Sequence, residues 1–126
     1  MAITKPAPNN LTPDQHEAFD LYVKEWQERL GLQGWRIERS RKKTKNMAEV
    51  VMDHKSRLAV YKVGDFGATV VSPESIESTV VHELLHIVLY ELINQIEIGL
   101  TDVALESAEH RVIHMLEKLL LVPRNT

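Results

Sequence analysis

The sequence contains no cysteine. That absence removes disulfides, cysteine-based zinc ribbons and thiol nucleophiles together. Any metal would have to be held by histidine, aspartate or glutamate. Long apolar runs are also missing: none approaches the roughly 18–20 residues needed to cross a bilayer. The opening MAITKPAPNN lacks the basic start and apolar centre of a secretion signal, so a cytoplasmic protein is expected, with residues 1–10 a Pro/Asn-rich flexible arm. A strong charge of one sign is absent as well; the net charge of −3 gives no global pull toward nucleic acid or an anionic membrane. There is no glycine-rich phosphate cradle, no internal repeat, and no local support for Ser/His/Asp nucleophilic chemistry.

What is present is an ordinary globular composition, with 44% apolar and 26% charged residues in 126. That length fits one domain with a modest core, over residues 11–126. Thr12-Pro13-Asp14-Gln15 reads as a capped helix start, and Ala18, Leu21, Tyr22, Trp26 and Leu30 follow at helical spacing before Gly31. A helix over about 13–30 is expected, with Trp26 and Trp35 as core anchors. WRIERSR alternates as a strand does, and MAEVVMD and RLAVYKV form a hairpin around the turn HKS. The segment ATVV (68–71) is a candidate for a further short extended piece. Ser72-Pro73-Glu74 starts a second helix that runs to about 92–94 and is apolar nearly all round. After Gly99, Thr101-Asp102 caps a third helix, which Pro123 ends. Helix, about three strands, helix, helix is an α+β order.

Chemistry concentrates in the second helix, at His82-Glu83-Leu84-Leu85-His86. Residues i and i+4 project from the same helical face, so His82 and His86 stand side by side. Two neutral imidazoles at that spacing can share one Zn²⁺, with Glu83 beside the open coordination position as general base. Burying such groups in an apolar helix without partners would cost several kcal/mol, which favours a metal over accident.

Two histidines leave the site short of the three protein ligands of a catalytic zinc. Leu89 and Leu92 stand where a metzincin would carry glycine and histidine, which excludes that arrangement. The third helix offers LESAEHRVIHML. Its apolar seam is expected along 105, 108, 112, 116 and 119, which turns Glu109 toward the core. Glu106 and His110, on the flanks, are the alternatives to Glu109; for His114, Glu117 and Lys118 a solvated face is expected.

The pair VVHELLHIVL and LESAEHRVIHML, with the lead-in LGLQGWRIE and the strand RLAVYKV, resembles the compact gluzincin-type metallopeptidase domains of phages and bacteria. The likeness covers most of residues 12–122. It implies a minimal zincin-like fold and hydrolysis of peptide bonds in a protein or peptide substrate. By the same resemblance Zn²⁺ is held by His82, His86 and Glu109, and Glu83 is the catalytic base. Tyr61, Tyr90 and His114 are candidate oxyanion stabilisers. A catalytically silent, metal-binding interaction module is the first rival reading. The run Arg39, Arg41, Lys42, Lys43, Lys45 reads first as a solvated hairpin tip, and a nucleic-acid-associated role, as in SprT-like zincins, is the second rival.

Overall fold

The structure, a computed structural model, describes residues 9–97 and 101–121. The order is α1 (Pro13–Arg29), β1 (Arg36–Arg39), β2 (Ala48–Asp53), β3 (Leu58–Val63), α2 (Pro73–Glu97) and α3 (Asp102–Leu121). This is the α+β layout expected from the sequence. Residues 1–8, Gly99 and Pro123 lie outside the described residues, as do the side chains of Lys118, Leu119 and Leu120.

Local chemistry sets the helix starts. The Gln15 amide donates to Thr12 Oγ1 at 3.2 Å while the Thr12 amide donates to Gln15 Oε1 at 2.9 Å, a closed capping box. At α2 the exchange runs between two serines: the Ser75 amide donates to Ser72 Oγ at 3.1 Å, and the Ser72 amide to Ser75 Oγ at 2.9 Å. α1 ends where Gly31 turns left-handed at φ 71°, a conformation glycine adopts without a Cβ clash.

The three strands lie in the order β1-β3-β2. β2 and β3 form the expected antiparallel hairpin, with Val50 opposite Tyr61, and β1 pairs in parallel with β3, Ile37 opposite Ala59. The basic segment therefore does not cap a hairpin. It is the start of a crossover over residues 40–57 that carries β2 past β3, as a parallel neighbour requires. Gly64 holds this connection down, because a Cβ there would overlap the carbonyl oxygens of Asn46 and Thr44. Residues 68–71 form no strand.

Ala59, Tyr61 and Val63 alternate inward along β3 and meet α1 and α2 in one core with Phe19, Trp26, Trp35, Phe66 and Ile76. Two polar bonds pin helices to this core. Trp26 Nε1 donates to Glu77 Oε2 at 3.0 Å across α1 and α2, and the buried Tyr61 hydroxyl donates to Asp20 Oδ1 at 2.6 Å. Burial and that carboxylate both push the Tyr61 phenol well above its ordinary pKa. Bonds to charged acceptors contribute roughly 1.5–3 kcal/mol each.

Asn9, expected in the flexible arm, is tied down. Its amide donates to Asp65 Oδ1 at 2.6 Å, its carbonyl accepts from the Phe66 amide at 3.0 Å, and its side chain reaches the Thr69 carbonyl at 2.7 Å. The Gly67 amide also donates to Asp65 Oδ1, at 2.8 Å. These two backbone bonds hold the Asp65 carboxyl below its ordinary pKa. A carboxylate lowered in the folded state stabilises the fold fully above the unfolded value, near 3.9, and loses that contribution as pH falls through the folded value. Asp65→Asn should therefore lower stability at pH 7 and flatten the acid limb of the stability profile, measured by urea unfolding between pH 7 and pH 3.

Candidate metal centre

The rotation of α2 about its own axis decides what the HELLH segment presents. Val80, Leu84, Ile87 and Val88 are at most 2% exposed, and this i, i+4, i+7, i+8 set is the face docked on α1 and the sheet. Each such side chain stabilises the packing by roughly 1.5–3 kcal/mol. At about 100° per residue, His82 and His86 then fall on the opposite, open side. Both are exposed, as are Leu89 at 45% and Ile93 at 49%, which continue the same stripe. The expectation that both histidines are sunk in the core is corrected here: α2 is central, but it keeps one solvent-facing stripe.

Glu83 lies on the border between stripe and core, and it alone of the three is buried, at 8% exposure. One ring nitrogen each of His82 and His86 and a carboxylate oxygen of Glu83 lie within 4.8 Å of one another, with the two imidazole centroids 4.9 Å apart and nearly perpendicular. Two donors on one tetrahedral zinc stand roughly 3.4 Å apart, and ring rotation about the side-chain torsions spans the difference. Two imidazoles at an open face, with a carboxylate beside them, are a group that could hold a metal ion such as zinc. Burial pushes the Glu83 carboxyl above its ordinary pKa; His86 and then His82 oppose that shift, and Glu49 on β2 adds to it. A carboxylate raised in this way takes up a proton more readily than a solvated one.

The α3 candidates are not part of this cluster; among the described residues it consists of His82, Glu83 and His86. The seam of α3 passes through Ala108, 1% exposed, Val112 and Met115, whereas Leu116 is 39% exposed. Met115 closes over Gly31 at the end of α1, with Met115 Cγ 3.9 Å from where a Cβ would stand. Choosing Met115 over Leu116 rotates the seam away from residue 109, so Glu109 is exposed rather than turned into the core. Glu106 and His110 are exposed too, 3.7 Å from each other, and His114 is 3.7 Å from Glu117.

The oxyanion candidates also separate. Tyr61 faces α1 and is engaged by Asp20, away from the stripe. Tyr90, one turn beyond His86, is half-buried and packs edge-on against Trp35, with His54 of the β2–β3 turn 6.1 Å away between ring centroids. Trp35 Nε1 is buried without a hydrogen-bond partner in this aromatic group. His54 and Glu49 are neighbours that sequence reasoning missed. Strand alternation puts Glu49 on a face but says nothing about which helix approaches it, and a turn histidine carries no motif.

No protein-family model, curated protein or solved structure matches the chain. The functional reading therefore rests on the chemistry of these residues. Metal content by elemental analysis distinguishes the α3 donors. If Glu109, Glu106 or His110 completes the site, its alanine variant should lose at least about tenfold in zinc affinity after loading and dialysis, as expected when a ligand or its support is removed. Stoichiometric zinc in Glu109→Ala, Glu106→Ala and His110→Ala alike would rule out a ligand from this part of α3.

Proposed function

We propose that this protein is a zinc-dependent metallopeptidase. The observation that carries the reading is the convergence of His82, Glu83 and His86 within 4.8 Å at an open helical face, with the glutamate buried and the histidines exposed. His82 and His86 would hold the ion, and Glu109 of α3, exposed and outside their cluster, is the proposed third ligand. When bound, zinc supplies a Lewis acid that polarises a carbonyl and brings a water toward ionisation at neutral pH.

The chain's own residues do the rest. Glu83, whose carboxyl burial holds above its ordinary pKa, accepts the proton of the attacking water and returns it to the leaving nitrogen. Its neighbours on α2 hold its backbone rigid, because Leu84 and Ile87 are locked in the core. Leu89 and Ile93 extend the histidine stripe as apolar surface, which favours a substrate that is a polypeptide with apolar side chains over a small polar molecule.

A silent metal-binding module would use the same histidines but has no use for a buried, proton-accepting carboxylate between them. Glu83→Gln separates the two readings. The variant should retain stoichiometric zinc while hydrolysis of a casein or peptide-library substrate falls by a factor of about 10²–10⁴, the range of a general base. Absence of hydrolysis by the zinc-loaded parent on every substrate tried would remove the enzymatic reading and leave the binding module.

A further inference from the structure

A second feature lies apart from the metal cluster and shares no residue with it. Between the start of α1 and the connection that follows β1 is a cavity of about 220 Å³, walled by His16, Arg39, Ser40, Arg41, Lys42 and Lys43. We propose that this cavity binds a phosphoryl group.

Charge supports this first. Several described cations elsewhere are paired, Arg29 with Glu25, Arg36 with Glu38 and Lys62 with Glu49, and the unpaired ones do not gather around one concavity with Arg41, Lys42 and Lys43. Arg41, Lys42 and Lys43 have no carboxylate within 4.0 Å among the described residues, although the whole chain carries net charge −3. Three uncompensated cations around one concavity repel each other, and an anion with several oxygens relieves that repulsion. The guanidinium of Arg41 matches phosphate oxygens in pairs, and the lysines add point charges.

The walls are fixed in place. Arg39 is held by its Nη2 donating to His16 Nδ1 at 2.7 Å and its Nη1 donating to Asp20 Oδ2 at 3.4 Å. The connection itself is pinned at several points: the Ser40 amide donates to the Tyr61 carbonyl at 2.8 Å, the Lys42 amide to Ser40 Oγ at 3.2 Å, and the Gly64 amide to the Met47 carbonyl at 2.8 Å. Ser40 thus accepts a bond and keeps its own hydroxyl hydrogen to donate. Size sets the ligand class, because the cavity is below the roughly 300–1,000 Å³ of sites for drug-sized molecules. A compact anion fits, either free phosphate or one phosphate of a polynucleotide backbone.

Two arms of one experiment separate these sources, using the full chain and its Lys42→Gln/Lys43→Gln variant, with matching thermal unfolding of the two as the control for folding. In the first arm inorganic phosphate is titrated at low ionic strength while backbone amide resonances are followed. Saturable shifts confined to His16 and residues 39–43, weakened at least about tenfold in the variant, are the expected result for free phosphate. In the second arm a short oligothymidylate is titrated by fluorescence anisotropy at several salt concentrations. If the backbone is the ligand, the slope of log affinity against log salt falls by roughly 1.4 in the variant, two phosphate contacts at about 0.7 each. Either result supports the site and names its source. Unsaturable shifts with no oligonucleotide binding, or binding equal in parent and variant, overturn it. Neither outcome depends on whether the protein hydrolyses peptides.

Discussion

The structure depends on how α2 is rotated in its seat. Four apolar side chains, Val80, Leu84, Ile87 and Val88, are packed almost completely out of water between α1 and the sheet. Their spacing leaves one way for the helix to sit. A turn of even a third of a revolution would bring His82 or His86 into the core and expose Leu84. The same constraint puts Glu83 at the border, shielded by protein on one side and facing two imidazoles on the other. Packing, not any contact among the polar groups, thus creates the juxtaposition of a buried carboxylate and two accessible nitrogens.

The remaining elements act as supports for that seat. α1 is clamped to α2 by the Trp26–Glu77 bond and to the sheet by the Tyr61–Asp20 bond, so the floor beneath α2 is pinned on both sides. β2, an edge strand, brings Glu49 near enough to influence Glu83. α3 closes the far side through Ala108, a residue small enough to let the two helices approach. The outcome is a rigid base under an exposed stripe, as expected of a site that must hold donors in place and still admit a ligand.

Much of this is legible in the sequence, for identifiable reasons. Helix starts were readable because Thr12-Pro13-Asp14-Gln15 and Ser72-Pro73-Glu74 carry their own capping chemistry, and each cap forms as written. The β2–β3 hairpin was readable from alternation around HKS. The HELLH geometry follows from helical spacing alone. Strand order was not readable, because adjacency of β1 and β3 depends on the long connection and not on any strand's pattern. The exposure of His82 and His86 was missed because an apolar composition says how much of a helix is buried but not which stripe stays open. The burial expected for Glu109 does not hold for a related reason: Met115 and Leu116 are equally apolar, and their spacing alone does not say which of them packs inward.

The central claim is that the accessible pair on α2 holds a metal ion, and X-ray absorption at the zinc edge tests it most directly. The zinc-loaded protein should show two imidazole nitrogens at about 2.0–2.1 Å with oxygen donors filling the rest of the shell, and His86→Ala should either lose the zinc or show one imidazole fewer. Failure to retain zinc after dialysis, or an imidazole signal unchanged by substitution of His82 or His86, would contradict the account.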